Sequence, residues 1–227
     1  NIGGGGFMLI YDAKNQTIVS LDFRSMSPEL ATPDVFRKDG EHQSSLSRSG
    51  YKAIAVPGTV DGLIRILQDH GSGKISIREV LSPAIRLAEK GFLLSYYEAR
   101  QFNAYKAFFE RNDAAADIFI RKDKRPWKVE DRFIQRDLSK TLKRIAKHGR
   151  NGFYTGPVAK MIVEEMKRGN GLISMDDLFN YSSKYREPVT GSYKGYEVIS
   201  MGPPSSGGAL LINMLNMLEL YEKDSLE

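Results

Sequence analysis

The stretch NIGGGGFMLIYDAKNQTIVSLDFR, residues 1–24, decides the fold class. Phe7 to Tyr11 is an apolar run. Across residues 17–24, Ile18, Val19, Leu21 and Phe23 partly alternate with polar neighbours, the period of half-buried strands. Between the two lies Asp12-Ala13-Lys14-Asn15, whose Asp and Asn side chains bond their own backbone in turns. The spacing predicts a hairpin. Gly3–Gly6 precede the first strand. A nucleotide-binding glycine run instead follows a strand and opens a helix, whose free N–H groups meet the phosphate. With that order reversed and no Gly-Lys-Ser/Thr behind it, tight backbone packing is the better use of the glycines.

Outward from the hairpin, residues 25–50 are rich in Ser, Pro, Asp and Gly and read as a loop or lid, long enough for a functional role. Helical patterns follow. Thr59 is placed to cap a helix ending at His70-Gly71, and Ser76-Ile77-Arg78-Glu79 is a capping box. Pro83 is expected to kink or restart that helix, with Ser82 as a new cap, before Gly91 closes it. Ser95 opens a helix to about Glu110, Asp137–His148 is closed by Gly149, Pro157 suits a first helical position, and Ser174 starts a short helix. Strand character returns over 189–200 with a turn near Lys194-Gly195, and an apolar helix runs from Ala209 to Leu220. Strand pair, helical block, strand pair, helix is an α+β order rather than a βαβ alternation. With no repeat and no clear linker, residues 1–227 read as a single incomplete domain. The absence of an initiator Met and the abrupt ends at Asn1 and Glu227 suggest a piece of a longer polypeptide, with room for a signal peptide upstream.

Composition narrows the chemistry. The chain of 227 residues has 41% hydrophobic and 27% charged residues, which argues against disorder, collagen and coiled coil. Its apolar runs fall well short of the ~20 residues of a membrane helix. Zero cysteines exclude thiol nucleophiles, Cys-zinc sites, iron–sulfur ligation and disulfides. A net charge of +5 comes from basic residues interleaved with acids, as in Arg121-Lys122-Asp123-Lys124-Arg125, so solvated helix faces are expected and no nucleic-acid partner. His42, His70 and His148 have no ligand spacing, and the last two sit at helix ends, so neither a metal nor a cofactor is expected.

Two local features stay open on the residues alone. Ser205-Ser206-Gly207-Gly208 after Pro203-Pro204 is either a double N-cap in a stiff turn or an anion site at a helix start; it misses the G-x-S-x-G elbow because Pro204 replaces the first glycine. Arg24 is either a solvated strand-end charge or a planar fork for a substrate carboxylate.

Nine stretches, in order along nearly the whole chain, resemble the γ-glutamyltranspeptidases. They are Gly3–Met8, Leu21-Asp22-Phe23-Arg24, Val56-Pro57-Gly58-Thr59-Val60-Asp61-Gly62-Leu63, Pro83–Phe92, Gly152–Gly156, Gly171–Leu178, Tyr185-Arg186-Glu187-Pro188-Val189, Gly195–Val198 and Pro203–Gly208. The resemblance implies a four-layer αββα N-terminal-nucleophile hydrolase sandwich, here incomplete, made as a precursor that cleaves itself into a large and a small subunit. It implies a partner small subunit whose terminal threonine, with its own α-amine as base, takes the acyl group from glutathione or another γ-glutamyl amide and passes it to water or to an amino-acid or peptide acceptor.

This chain corresponds to most of the large subunit. None of Thr17, Thr32, Thr59, Thr141, Thr155 and Thr190 has the family's Thr-Thr-His-x-Ser neighbours, so no catalytic residue is assigned in it. The resemblance carries over one residue, Arg24, as the binder of the substrate α-carboxylate, and places Ser205 and Ser206 at the border of the cleft. Ser25, Met26 and Ser27 stand where the family usually has Glu and a small residue before Pro, which bears on fine specificity. Relatives are periplasmic or secreted in bacteria and membrane-anchored outside the cell in animals. Two rivals remain: an acylase or poly-γ-glutamate depolymerase of the same superfamily, and a non-catalytic scaffold.

Overall fold

The computed structural model describes residues 2–221; Asn1 and residues 222–227, which carry the suggestion of cut ends, lie outside the described residues. The chain divides into two compact units, residues 1–71 with 154–227, and residues 72–153.

The first unit begins with the predicted hairpin, β1 (Phe7–Asp12) and β2 (Thr17–Asp22), paired from Phe7 opposite Asp22 to Asp12 opposite Thr17. Its turn forms as expected: Asp12 Oδ1 accepts from the backbone N–H of Lys14 at 2.9 Å and of Asn15 at 3.2 Å. The stretch expected to be a loop has local structure of its own. A two-residue ladder joins β3 (Arg37–Lys38) to β4 (Glu41–His42), followed by α1 (Ser44–Arg48) and a 3₁₀ turn over Tyr51–Ala53. Helix α2 (Thr59–His70) has Gly58, not Thr59, at its N-cap, and buries Val60, Asp61, Gly62 and Ile64.

The second unit is mostly helical. Helix α3 (Ile77–Lys90) opens with the Ser76–Glu79 capping box and runs through Pro83 without restarting, so the expected cap at Ser82 does not form. Next come β5 (Phe92–Leu93), α4 (Tyr96–Ala104), α5 (Lys106–Phe109), α6 (Asp113–Phe119), β6 (Arg132–Phe133) and α7 (Arg136–His148). Packing of α3 along α7, where Lys143 meets Glu89 and the Gln135 N–H donates to the Ala88 carbonyl at 2.9 Å, outweighs the missing Pro83 donor. The helix expected from Ser95 to Glu110 breaks at Tyr105, between α4 and α5. The unit's core is aromatic: Leu94, Ala99 and Phe133 are buried, with Phe92, Phe102, Phe119 and Trp127 packed against them.

After α8 (Asn151–Tyr154), the first unit resumes with α9 (Gly156–Arg168) and α10 (Met175–Asn180). Strand β7 (Lys184–Arg186), which periodicity did not reveal, pairs antiparallel with β2 and completes the three-stranded sheet β1-β2-β7. A second hairpin, β8 (Val189–Tyr193) and β9 (Tyr196–Ser200), turns at Lys194-Gly195 as predicted and packs against α11 (Gly207–Glu219).

Asp177 ties this unit together locally. Its Oδ2 accepts from the Ser174 N–H at 2.8 Å and the Ser174 hydroxyl at 2.7 Å, closing a capping box on α10, while Oδ1 accepts from the Glu29 N–H at 2.8 Å. Burial alone would raise its pKa, but these donors outweigh burial and hold it below the ordinary 3.8. A depressed folded pKa means the carboxylate contributes stability above pH ~3.8, lost as pH falls toward the lower folded value. Asp177→Ala should cost ~1–2 kcal/mol, the scale of a lost cap, and that difference should shrink in urea titrations run below pH 3.8. A difference that does not shrink would remove the charged carboxylate from the explanation.

Candidate functional site

The sheet places Arg24. Beyond β2 the chain stays extended, because Phe23 exchanges hydrogen bonds with Gly6, N–H to O at 3.0 and 3.2 Å. Met26 then bridges Val56, with both N–H to O distances at or under 3.0 Å. The glycine run therefore packs backbone on backbone, as expected: a Cβ at Gly5 would lie 2.4 Å from the Ser25 nitrogen. The Gly4 carbonyl also accepts from the N–H groups of Gly58 and Thr59, at 2.7 and 2.9 Å, which joins the run to the start of α2.

Strand alternation puts Leu21 and Phe23 on the opposite face from Ser20, Asp22 and Arg24. Asp22 is only 7% exposed. Its Oδ1 accepts from the Arg24 N–H at 3.0 Å, and its Oδ2 accepts from Arg186 Nη2 at 3.0 Å and Nε at 3.2 Å. On the other side of the Arg24 peptide, the Tyr181 hydroxyl donates to the Arg24 carbonyl at 2.9 Å. Tyr181 stacks on the fully buried Tyr154 with centroids 5.6 Å apart. Tyr154 in turn donates to the Pro57 carbonyl at 2.7 Å. Burial, then the charges of Asp61 and Asp22, push the Tyr181 phenol well above its ordinary pKa, so it stays a donor at any pH the protein meets.

The Arg24 backbone is thus held from both sides while its side chain is exposed. The guanidinium lies 5.9 Å from the Phe7 ring centroid, and Nη1 donates to the Pro204 carbonyl at 3.4 Å. It forms no ion pair among the described residues. Around it is a cleft of ≈ 240 Å³ lined by Asp22 at the end of β2 and Arg24, Ser25 and Met26 just beyond it, by Tyr181, Ser182, Lys184 and Arg186 leading into and along β7, and by Pro204. That is below the roughly 300–1,000 Å³ of pockets for whole drug-sized ligands and suits an amino-acid head group. Three cations and one carboxylate on its walls make the cleft receptive to anions.

The structure brings Arg24 to the Pro203–Ser206 turn but does not put the two serines on the cleft wall, which ends at Pro204. Ser205 Oγ accepts from the Gly207 N–H at 3.2 Å and caps α11. Ser206 occupies the N-cap position with no side-chain cap bond, so the double-cap reading holds for Ser205 alone.

Sequence reasoning missed Asp22, Tyr181, Lys184 and Arg186. Asp22 and Arg186 lay within recognised stretches, but their pairing spans 164 residues and needs the β2–β7 register. Only the i, i+2 spacing of Lys184 and Arg186 was a readable signal for a shared face.

Among the described residues, no helix is long and apolar enough to cross a membrane. The family model of γ-glutamyltranspeptidase matches residues 1–227. The chain is 38% identical over 223 residues to the glutathione hydrolase proenzyme of Escherichia coli K12, covering 98% of this chain and 38% of that protein. It is 35% identical to an acylase ACY 1 proenzyme of Pseudomonas sp. V22, covering 96% of this chain and 40% of that protein. The crystal structure of Helicobacter pylori γ-glutamyltranspeptidase superposes with a TM-score of 0.95 at 41% identity, covering all of this chain and 64% of that one. The chain thus spans about two fifths of the length of the curated relatives it matches. Its α+β fold is the N-terminal-nucleophile hydrolase fold expected from the sequence. Matched from end to end by the family model, the chain belongs to the γ-glutamyltranspeptidase family.

Proposed function

We propose that the polypeptide to which this chain contributes cleaves γ-glutamyl amides such as glutathione, transferring the acyl group to water or to an amino-acid or peptide acceptor. Arg24 carries the reading. A guanidinium fork whose backbone is fixed by Asp22 and Tyr181, in a small cation-lined cleft, suits the α-carboxylate of a glutamyl group. Holding that head group orients the γ-carbonyl for attack. The nucleophile is a threonine outside this chain, freed at the start of a small subunit. Its hydroxyl adds to the carbonyl, its proton passes by way of the threonine's α-amine to the departing amine, and the acyl-enzyme is then opened by water or an acceptor. The apolar side chains that α11 leaves exposed, Leu210, Leu211, Met214 and Met217, offer that subunit a surface to cover. The family resemblance implies a periplasmic or secreted setting for a bacterial source, or the outer face of the membrane for an animal one. Residues 1–227 make one part of a larger catalytic domain in this reading.

The test uses the intact, self-processed protein. Release of p-nitroaniline from γ-glutamyl-p-nitroanilide is expected, with little from 4-aminobutyryl-p-nitroanilide, which lacks only the α-carboxylate. Equal turnover of both would overturn the role given to the cleft. The acylase relative motivates a second reading, in which the acyl group is not γ-glutamyl; faster turnover of glutaryl-p-nitroanilide than of the γ-glutamyl compound would favour it.

Ser206 does not line the cleft itself but lies two residues beyond Pro204, which does, and its role beside the cleft rests on the family resemblance. Because its hydroxyl makes no cap bond, Ser206→Ala should change stability by no more than ~0.5 kcal/mol. A fall in kcat/KM for γ-glutamyl-p-nitroanilide at unchanged Tm is the expected result. Unchanged turnover would take Ser206 out of the site.

A further inference from the structure

Charge on the walls of the cleft is not balanced. Arg186 is neutralised by the two hydrogen bonds it donates to Asp22, and the remaining Asp22 oxygen is taken by the Arg24 N–H. Arg24 and Lys184 are both exposed and form no ion pair among the described residues, yet both line the same cleft. The register places Lys184 directly opposite Asp22, two residues before Arg24. Directly opposed residues of an antiparallel pair lie ~5 Å apart between Cα atoms, and two residues along a strand advance ~7 Å. The Cα atoms of Lys184 and Arg24 are therefore about 9 Å apart, diagonal neighbours on one face.

A single α-carboxylate satisfies Arg24 and leaves Lys184 with an uncompensated charge at the diagonal position of the same face. We infer that Lys184 is a specificity-determining residue that reads a second negative charge on the donor, so that the site favours γ-glutamyl compounds whose leaving group is itself an acid, a γ-glutamyl amino acid or peptide with a free carboxylate. This inference rests on the proposed γ-glutamyl chemistry and on Arg24 as the holder of the first carboxylate. Lysine suits the task. Its ammonium is a compact charge on a flexible stem, able to follow a carboxylate held at variable reach, whereas the planar fork of arginine fixes one geometry. The wall of the cleft also allows the substitution to be made safely, because Lys184 sits at the start of β7 with its side chain in solvent and makes no contact the strand depends on.

The experiment compares two donors that differ by one charge, γ-glutamylglycine and γ-glutamylglycinamide, with the intact, self-processed protein. Wild type is expected to prefer the acid. Lys184→Gln should reduce that preference, taken as the ratio of the two kcat/KM values, about fivefold, the factor that ~1 kcal/mol from a partly exposed ion pair supplies. Lys184→Arg should restore most of it. The preference of the wild type should also fall toward that of Lys184→Gln in ~1 M salt, where the screening length is ~3 Å. An unmoved ratio in Lys184→Gln overturns the inference, as does an equal loss on both donors, which would mean general attraction of anions. If wild type turns over neither donor, the γ-glutamyl reading fails and the role of Lys184 with it. If Arg24→Ala impairs both donors while Lys184→Gln leaves the ratio unchanged, only the role of Lys184 is lost.

Discussion

Arg24→Ala in the intact protein is expected to raise KM for γ-glutamyl-p-nitroanilide at least about tenfold, and to leave the weak turnover of 4-aminobutyryl-p-nitroanilide where it was. A hydrogen bond to a charged group contributes ~1.5–3 kcal/mol, and each ~1.4 kcal/mol is a factor of ten. Removing one partner of a pair desolvated in the complex costs ~2–5 kcal/mol, so tenfold is the low end. The low end is the fair estimate for a side chain that this chain alone leaves in solvent. The loss belongs chiefly in KM, because the carboxylate is bound alike before and during attack on the distant γ-carbonyl; a glutamyl group held less well by its head would add a smaller loss in kcat. Arg24→Lys should recover only part, since a lysine keeps the charge without the fork. The fold should not suffer: Asp22 and Tyr181 hold the Arg24 backbone, and the guanidinium makes a single long bond to Pro204. A steady-state series of both anilides against wild type, Arg24→Ala and Arg24→Lys decides. Unchanged KM in Arg24→Ala would return Arg24 to a solvated strand end, the plainer of the two readings its sequence position allows.

The readable parts of the chain were those set by neighbours in sequence. The hairpin of β1 and β2, the capping boxes at Ser76 and Ser95, the helix start at Ser174, and the helix ends at His70-Gly71 and His148-Gly149 all follow from interactions within about four residues. Pro83 misled because propensity is local while the packing of α3 against α7 is not. Strand β7 was invisible for a related reason. Lys184-Tyr185-Arg186 is too short and too polar to announce a strand, and it becomes one only because β2 offers an edge to pair with. Arg24 could be named from the Asp-Phe-Arg stretch, yet what fixes it comes from afar: Arg186 shares its Asp22, and Tyr181 reaches its carbonyl. Ser205 and Ser206 look equivalent in sequence, and only the geometry of the turn separates the capping hydroxyl from the free one.

Gly58→Ala should destabilise the protein by ~2–6 kcal/mol, the sum of an overpacking cost and a stranded hydrogen bond. Gly58 has φ −111° and ψ −13°, a backbone conformation that alanine adopts freely, so conformational strain is no part of the cost. The cost is space. A Cβ there would stand 2.0 Å from the Tyr181 hydroxyl oxygen and 2.1 Å from the Phe23 carbonyl oxygen. Overpacking costs ~1–3 kcal/mol, and the neighbours cannot yield cheaply. Phe23 is in the sheet, and Tyr181 is stacked on Tyr154 and bonded to the Arg24 carbonyl. Displacing the Tyr181 hydroxyl would strand a part-buried polar pair, worth a further ~1–3 kcal/mol. The same methyl group therefore disturbs the backbone that presents Arg24, and residual activity should show a raised KM as well as a lowered Tm. A double-mutant cycle with Tyr181→Phe separates the two contributions. Removing the hydroxyl takes away the nearest clash but leaves the ring carbon that bore it 2.6 Å from the new methyl group, so the double variant should be less destabilised than the sum of the singles, though still below wild type. Strict additivity in urea unfolding would mean that the Phe23 carbonyl, not the tyrosine, sets the limit at this position, and a fully stable Gly58→Ala would show that the turn into α2 has slack that the close approach of these three groups does not allow.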